Sequence, residues 1–89
     1  MTVKIERVSA NGETRFSLSG ELRSEEIHEI SAEIAKVSPK IALDCAELWV
    51  VDIDGLRWLK ACEAMGIKVE NCAPYIREWM LQEKLMSEP

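Results

Sequence analysis

Residues 41–56 read IALDCAELWVVDIDGL, and this stretch decides the fold. Ile41-Ala-Leu-Asp-Cys45 is short, rich in apolar residues and preceded by Pro39, which predicts a buried strand. Leu48-Trp-Val-Val51 then leads, as a connection holding Trp49, to Asp52, Ile53, Asp54 and Gly55. Beyond Gly55, Leu56, Leu59 and Cys62 recur at helical spacing until Gly66, a C-terminal stop. A buried strand that enters a helix through Asp and Gly is half of a parallel βαβ unit. Such a junction calls for an oxygen side chain to cap the helix. Asp54, just before Gly55, suits that role. Gly55 allows the helix to approach the sheet closely.

On the N-terminal side, Val3 and Ile5 alternate with Lys4 and Glu6, the period of a half-buried strand. Asn11-Gly12 is a turn signal, and residues 14–19 alternate again with Phe16 and Leu18 on one face. Residues 3–8 and 14–19 therefore read as an antiparallel hairpin. Ser24 reads as a helix N-cap, with Glu25 and Glu26 in the first turn where the helix dipole favours acids. Ile27, Ile30, Ile34 and Val37 form the apolar stripe of that helix, and Pro39 lies past its end. On the C-terminal side, residues 67–72 alternate as a strand, and Pro74 opens a last helix with Ile76, Trp79 and Met80 inward. Ser87-Glu88-Pro89 is expected to fray. The order β-β-α-β-α-β-α predicts one α/β domain over residues 1–89. Its sheet is mixed, with four to five strands and three helices mainly on one face.

Composition narrows the function. A net charge of −5, with scattered lysines and arginines, argues against nucleic acid and against an anionic membrane surface. The first residues hold no apolar signal-peptide core, and no apolar run is long enough to span a membrane, so a cytoplasmic protein is expected. Cys45, Cys62 and Cys72 are odd in number, widely spaced and without a C-x-x-C pair. They read as reduced, small, buried hydrophobes and not as a disulfide frame or zinc site.

Four patterns, in this order and spacing, resemble the STAS domain, the fold of bacterial anti-sigma-factor antagonists. They are Phe16-Ser-Leu-Ser-Gly-Glu-Leu22, Ile41-Ala-Leu-Asp-Cys-Ala-Glu-Leu48, Val51-Asp-Ile-Asp-Gly-Leu56 and Val69-Glu-Asn-Cys-Ala-Pro-Tyr-Ile76. The chain looks like the short, stand-alone forms. The resemblance implies a non-catalytic protein-binding module. Its partner would be a kinase-like anti-sigma factor or a transporter component; the alternative is a small subunit of a larger assembly such as a lipid-transport ABC complex. A homodimer stays open. Regulated members of the family carry a pair of hydroxyl residues where this chain has Ile53 and Asp54, so no phosphoserine or phosphothreonine can form there.

Candidate chemistry is sparse. Asp52 and Asp54 could serve acid–base work or a metal, but helix capping outweighs both, with only Glu47 nearby as a further oxygen ligand. His28 is the only histidine, falls on the polar side of its helix and has no nucleophile beside it. No Gly-rich phosphate loop is present, and no cofactor or enzyme activity is expected. The partner-binding surface is expected at Asp52, Ile53, Asp54, Gly55, Trp58, Met65 and Trp49. Trp58 and Met65, seven residues apart, share a helix stripe displaced from the core stripe. As a docking anchor, Trp58 is expected to contribute about 2 kcal/mol or more to partner binding.

Overall fold

The computed structural model describes residues 3–37 and 40–86. Pro39, expected to end the first helix, and the expected frayed end at Ser87–Pro89 lie outside them. The elements are β1 (Val3–Ala10), β2 (Glu13–Leu22), α1 (Ser24–Ala35), β3 (Ile41–Val51), α2 (Ile53–Ala64), β4 (Lys68–Glu70) and α3 (Pro74–Met86). The sheet has four strands in the order β1-β2-β3-β4.

β1 and β2 form the expected hairpin, longer than the alternation indicated, with Ala10 paired to Glu13 across Asn11-Gly12. Both turn residues have positive φ, 54° and 79°, the backbone that matches the twist of a two-residue hairpin. β2 pairs with β3, and β3 with β4, in parallel. Two successive right-handed crossovers stepping the same way across the sheet put α1 and α2 on one face, and α3 packs against α2. Phe16, Leu18, Leu22, Leu43 and Cys45 meet Ile30, Leu56, Leu59 and Ile76 in the core between the layers. On the other face, Arg15 forms an ion pair with the Glu70 carboxylate at 2.6 Å and stands 3.8 Å from that of Asp44.

β3 departs from the expected short strand and connection: it runs unbroken to Val51, so Trp49 lies on a strand. Its register explains why alternation fails. Asp44 to Glu47 faces Ser17 to Ser19, and Leu48 to Val50 faces Gly20 to Glu21, so β3 carries one extra residue at each place. These bulges space the buried residues Cys45, Leu48 and Val51 three apart instead of two. The first bulge is held by Asp44, whose Oδ1 accepts the Ala46 N–H and the Asn71 side-chain amide, both at 3.1 Å.

Helix ends also correct the sequence reading. α1 has Arg23, not Ser24, at its N-cap position, and Ser24 is its first residue. Arginine has no acceptor, so the capping comes from elsewhere: the Glu26 carboxylate accepts the Arg23 N–H at 3.1 Å. α2 closes in a Schellman motif, with Gly66 N–H on the Glu63 carbonyl and Ile67 N–H on the Cys62 carbonyl, each 3.0 Å. Its four inward residues are Gly55, Leu56, Leu59 and Cys62. β4 is shorter than residues 67–72, because Asn71 turns into the left-handed region at φ 61°. Cys72 thereby falls in the loop and is only half-buried, unlike the other two cysteines.

Candidate functional site

The junction between β3 and α2 is organised by one carboxylate. Asp52, not Asp54, is the N-cap of α2: its Oδ1 accepts the Gly55 N–H at 2.8 Å. Its Oδ2 accepts the Ser24 N–H, the first amide of α1, at 3.1 Å. The two parallel crossovers bring both helix starts to the same end of the sheet, and a single aspartate serves orphan donors of each. Asp54 falls two positions further on, in the exposed first turn of α2, where the local structure makes no use of its oxygen as a cap.

Gly55 is buried. A Cβ built on it would lie 2.6 Å from the Leu22 carbonyl oxygen and 3.1 Å from Val51 Cγ1. That same carbonyl accepts the Asp52 N–H at 3.1 Å. Strand β2, strand β3 and helix α2 thus meet with only a hydrogen atom's clearance.

Around this junction the expected surface residues divide between two sides of α2. Trp58 and Met65 line one groove, between α1 and α2, with Ser31, Ile34, Ala35, Cys62 and Ile67. The Trp58 ring is half-buried against the core, and its Nε1–H donates to Ser31 Oγ at 3.0 Å. Met65 is 79% exposed and sits at the C-cap, one residue past the end of α2. Trp49 lines a different cleft, with Ala46, Leu48, Ala73 and Tyr75. It is 72% exposed, and its backbone carbonyl accepts the Tyr75 hydroxyl. Ile53 and Asp54 are exposed at the start of α2.

Tyr75 was not legible as part of this surface. Its only local signal is its position after Pro74 at a helix start. His28 is exposed. Among the described residues no cluster of three His, Cys, Asp or Glu side chains could hold a metal ion, and no helix is long and apolar enough to cross a membrane.

The Trp58 geometry yields a prediction. A half-buried ring with one hydrogen bond should contribute less than the roughly 3–5 kcal/mol of a fully buried one. Trp58→Ala is expected to lower folding stability by about 2 kcal/mol, and Trp58→Phe, which removes chiefly the bond to Ser31, by about 1 kcal/mol. Urea unfolding of the two variants checks this; equal losses would mean that the Ser31 bond contributes the whole effect.

No protein-family model matches the chain, and no curated protein matches it either. Solved structures do. An anti-sigma factor antagonist from Mycobacterium paratuberculosis superposes with a TM-score of 0.74 at 20% identity, over 94% of this chain and 80% of that one. The unphosphorylated anti-sigma factor antagonist SpoIIAA gives 0.63 at 16% identity, over 96% and 94% of the two chains. The phosphorylated form of the Bacillus cell fate determinant SpoIIAA gives 0.62 at 20% identity, over 96% and 86%. The chain has the STAS fold, the architecture of these anti-sigma factor antagonists.

Proposed function

We propose that this chain is a non-catalytic protein-interaction module that docks its partner over the β3–α2 junction. The observation that carries the reading is Trp49, a large ring left 72% exposed on a strand whose Leu48 and Val51 are buried. An indole held in water contributes little to folding, whereas tryptophan is enriched among residues that dominate binding energy. Tyr75 lines the same cleft as Trp49, and Glu47 on β3 and Ile53 and Asp54 at the start of α2 are exposed. Such a surface suits a partner with an apolar pocket and a basic rim. In the separate groove between α1 and α2, Trp58 and Met65 offer a second contact, while Asp52 and Gly55 set the position of the junction.

The similar solved structures are of anti-sigma factor antagonists, which supports a kinase-like anti-sigma factor as the partner. With Ile53 and Asp54 at the loop, such binding is not switched by phosphate on serine or threonine there, and Asp54 keeps a fixed carboxylate at the positive end of α2.

The test is a titration of the purified chain against the candidate anti-sigma factor of its own genome. Trp49→Ala is expected to weaken binding about 30-fold, equivalent to about 2 kcal/mol, with little change in Tm. Unchanged affinity in Trp49→Ala and Asp54→Ala together would remove the junction as the docking site. Binding instead to a transporter component, such as a lipid-transport ABC subunit, would keep the module and replace the partner.

A further inference from the structure

Two of the three cysteines meet. β3 and β4 are in register at Asp44 and Glu70, and the Asn71 amide is tied to Asp44 at 3.1 Å. One residue beyond this tied pair, Asp44 and Asn71, stand Cys45 and Cys72, whose thiols are close enough to influence each other. Cys45 is buried and Cys72 half-buried, so Cys72 is the more accessible of the pair. Arg77 is fixed beside them: its guanidinium bonds Glu63 Oε2 at 2.6 Å and also donates to the Val69 carbonyl.

We propose that Cys45 and Cys72 are an oxidation site that closes to a reversible intramolecular disulfide on meeting hydrogen peroxide, with Cys72 as the sulfur that reacts first. The Cys72 thiolate attacks one peroxide oxygen, the O–O bond breaks, and the departing hydroxide takes a proton and leaves as water. The Cys45 sulfur then attacks the sulfenic sulfur of Cys72. The S–O bond breaks, and the oxygen leaves as a second water with the proton from Cys45. Two thiols lose two electrons and two protons, and the peroxide receives them.

The local environment supports this division of roles. The hydrogen bond from Cys45 and the charge of Arg77 hold the Cys72 thiol below its ordinary range, against burial and the Glu63 and Asp44 carboxylates. Cys45, which keeps its proton in that bond, is pushed far up, and burial also raises it. Cys62 lies apart in the core and is pushed up to about 11, chiefly by burial. A low, accessible thiolate beside a buried resolving thiol is the arrangement that selects one cysteine for oxidation.

The experiment uses the full reduced chain and stoichiometric hydrogen peroxide, followed by alkylation, peptide mapping and intact mass. The expected result is loss of two hydrogens, a Cys45–Cys72 link, free Cys62, and full reversal by dithiothreitol. Without peroxide, native Cys72 should alkylate with iodoacetamide at least about tenfold faster than Cys62, and Arg77→Gln should narrow that ratio. Cys45→Ser should leave Cys72 as sulfenic or sulfinic acid, which shows that Cys72 reacts first. A link to Cys62, over-oxidation of Cys72 in the native chain without any link, or a link that forms no faster in the folded chain than in urea would overturn the proposal.

Discussion

Gly55→Ala is expected to destabilise the domain by about 3 kcal/mol, near the upper end of the range for overpacked cores. In an ordinary helix the change would help, since alanine is favoured over glycine by up to about 1 kcal/mol. Here the added methyl would lie 2.6 Å from the Leu22 carbonyl oxygen, and the obstacle is backbone that a side-chain rotation cannot clear. The start of α2 must withdraw from β2, and the Asp52 N–H bond to that same carbonyl lengthens with it. For a domain of this size the loss corresponds to a fall in Tm on the order of 10–20 °C. Thermal unfolding followed by far-UV circular dichroism measures it. A Tm equal to or above that of the parent protein would show that the junction yields easily and that the close approach is not a constraint.

Asp52→Ala should cost about 2–3 kcal/mol, more than a usual cap, because two helices lose a partner at once. The Gly55 and Ser24 amides are both left without their carboxylate oxygens. Asp52→Asn retains one acceptor and presents an amide group to the other N–H, so it should lose at least half as much. Equilibrium urea unfolding of both variants provides the check, and an alanine variant within about 0.5 kcal/mol of the parent would mean that water replaces both bonds without loss. The two substitutions touch one junction, so Gly55→Ala combined with Asp52→Ala should cost less than their sum.

Much of the architecture can be read from local pattern. Asn11-Gly12 marks the hairpin, and the stripes at Ile27, Ile30 and Ile34 and at Leu56, Leu59 and Cys62 mark two helices that do pack inward. The close approach at Gly55 is also written locally, as a glycine at a strand-to-helix junction. The continuation of β3 is not. Its two bulges convert a period of two into a period of three, so Leu48-Trp-Val-Val resembles a connection although it is strand. The choice between Asp52 and Asp54 as cap depends on where α2 begins, and Ser24 loses its expected role because the oxygens that serve α1 come from Glu26 and from Asp52, 28 residues away. The separation of Trp49 from Trp58 and the meeting of Cys45 with Cys72 likewise arise from contacts between distant segments. Periodicity within a segment carries no information about them.

The Tyr75 hydroxyl on the Trp49 carbonyl has a consequence for solubility. β4 pairs only with Ala42, Leu43 and Asp44, so the outer edge of β3 beyond them is a place where a strand from another molecule could add on. Trp49 has no register partner in β2, and its carbonyl would be among the first acceptors such a strand would find. Tyr75 occupies that acceptor from the start of α3, and the bulges twist the rest of the edge away from a flat template. The short β4 adds Lys68 and Glu70, charges that disfavour pairing with a copy of itself. Removing the hydroxyl with Tyr75→Phe would leave folding nearly intact while uncovering a site for edge-to-edge aggregation.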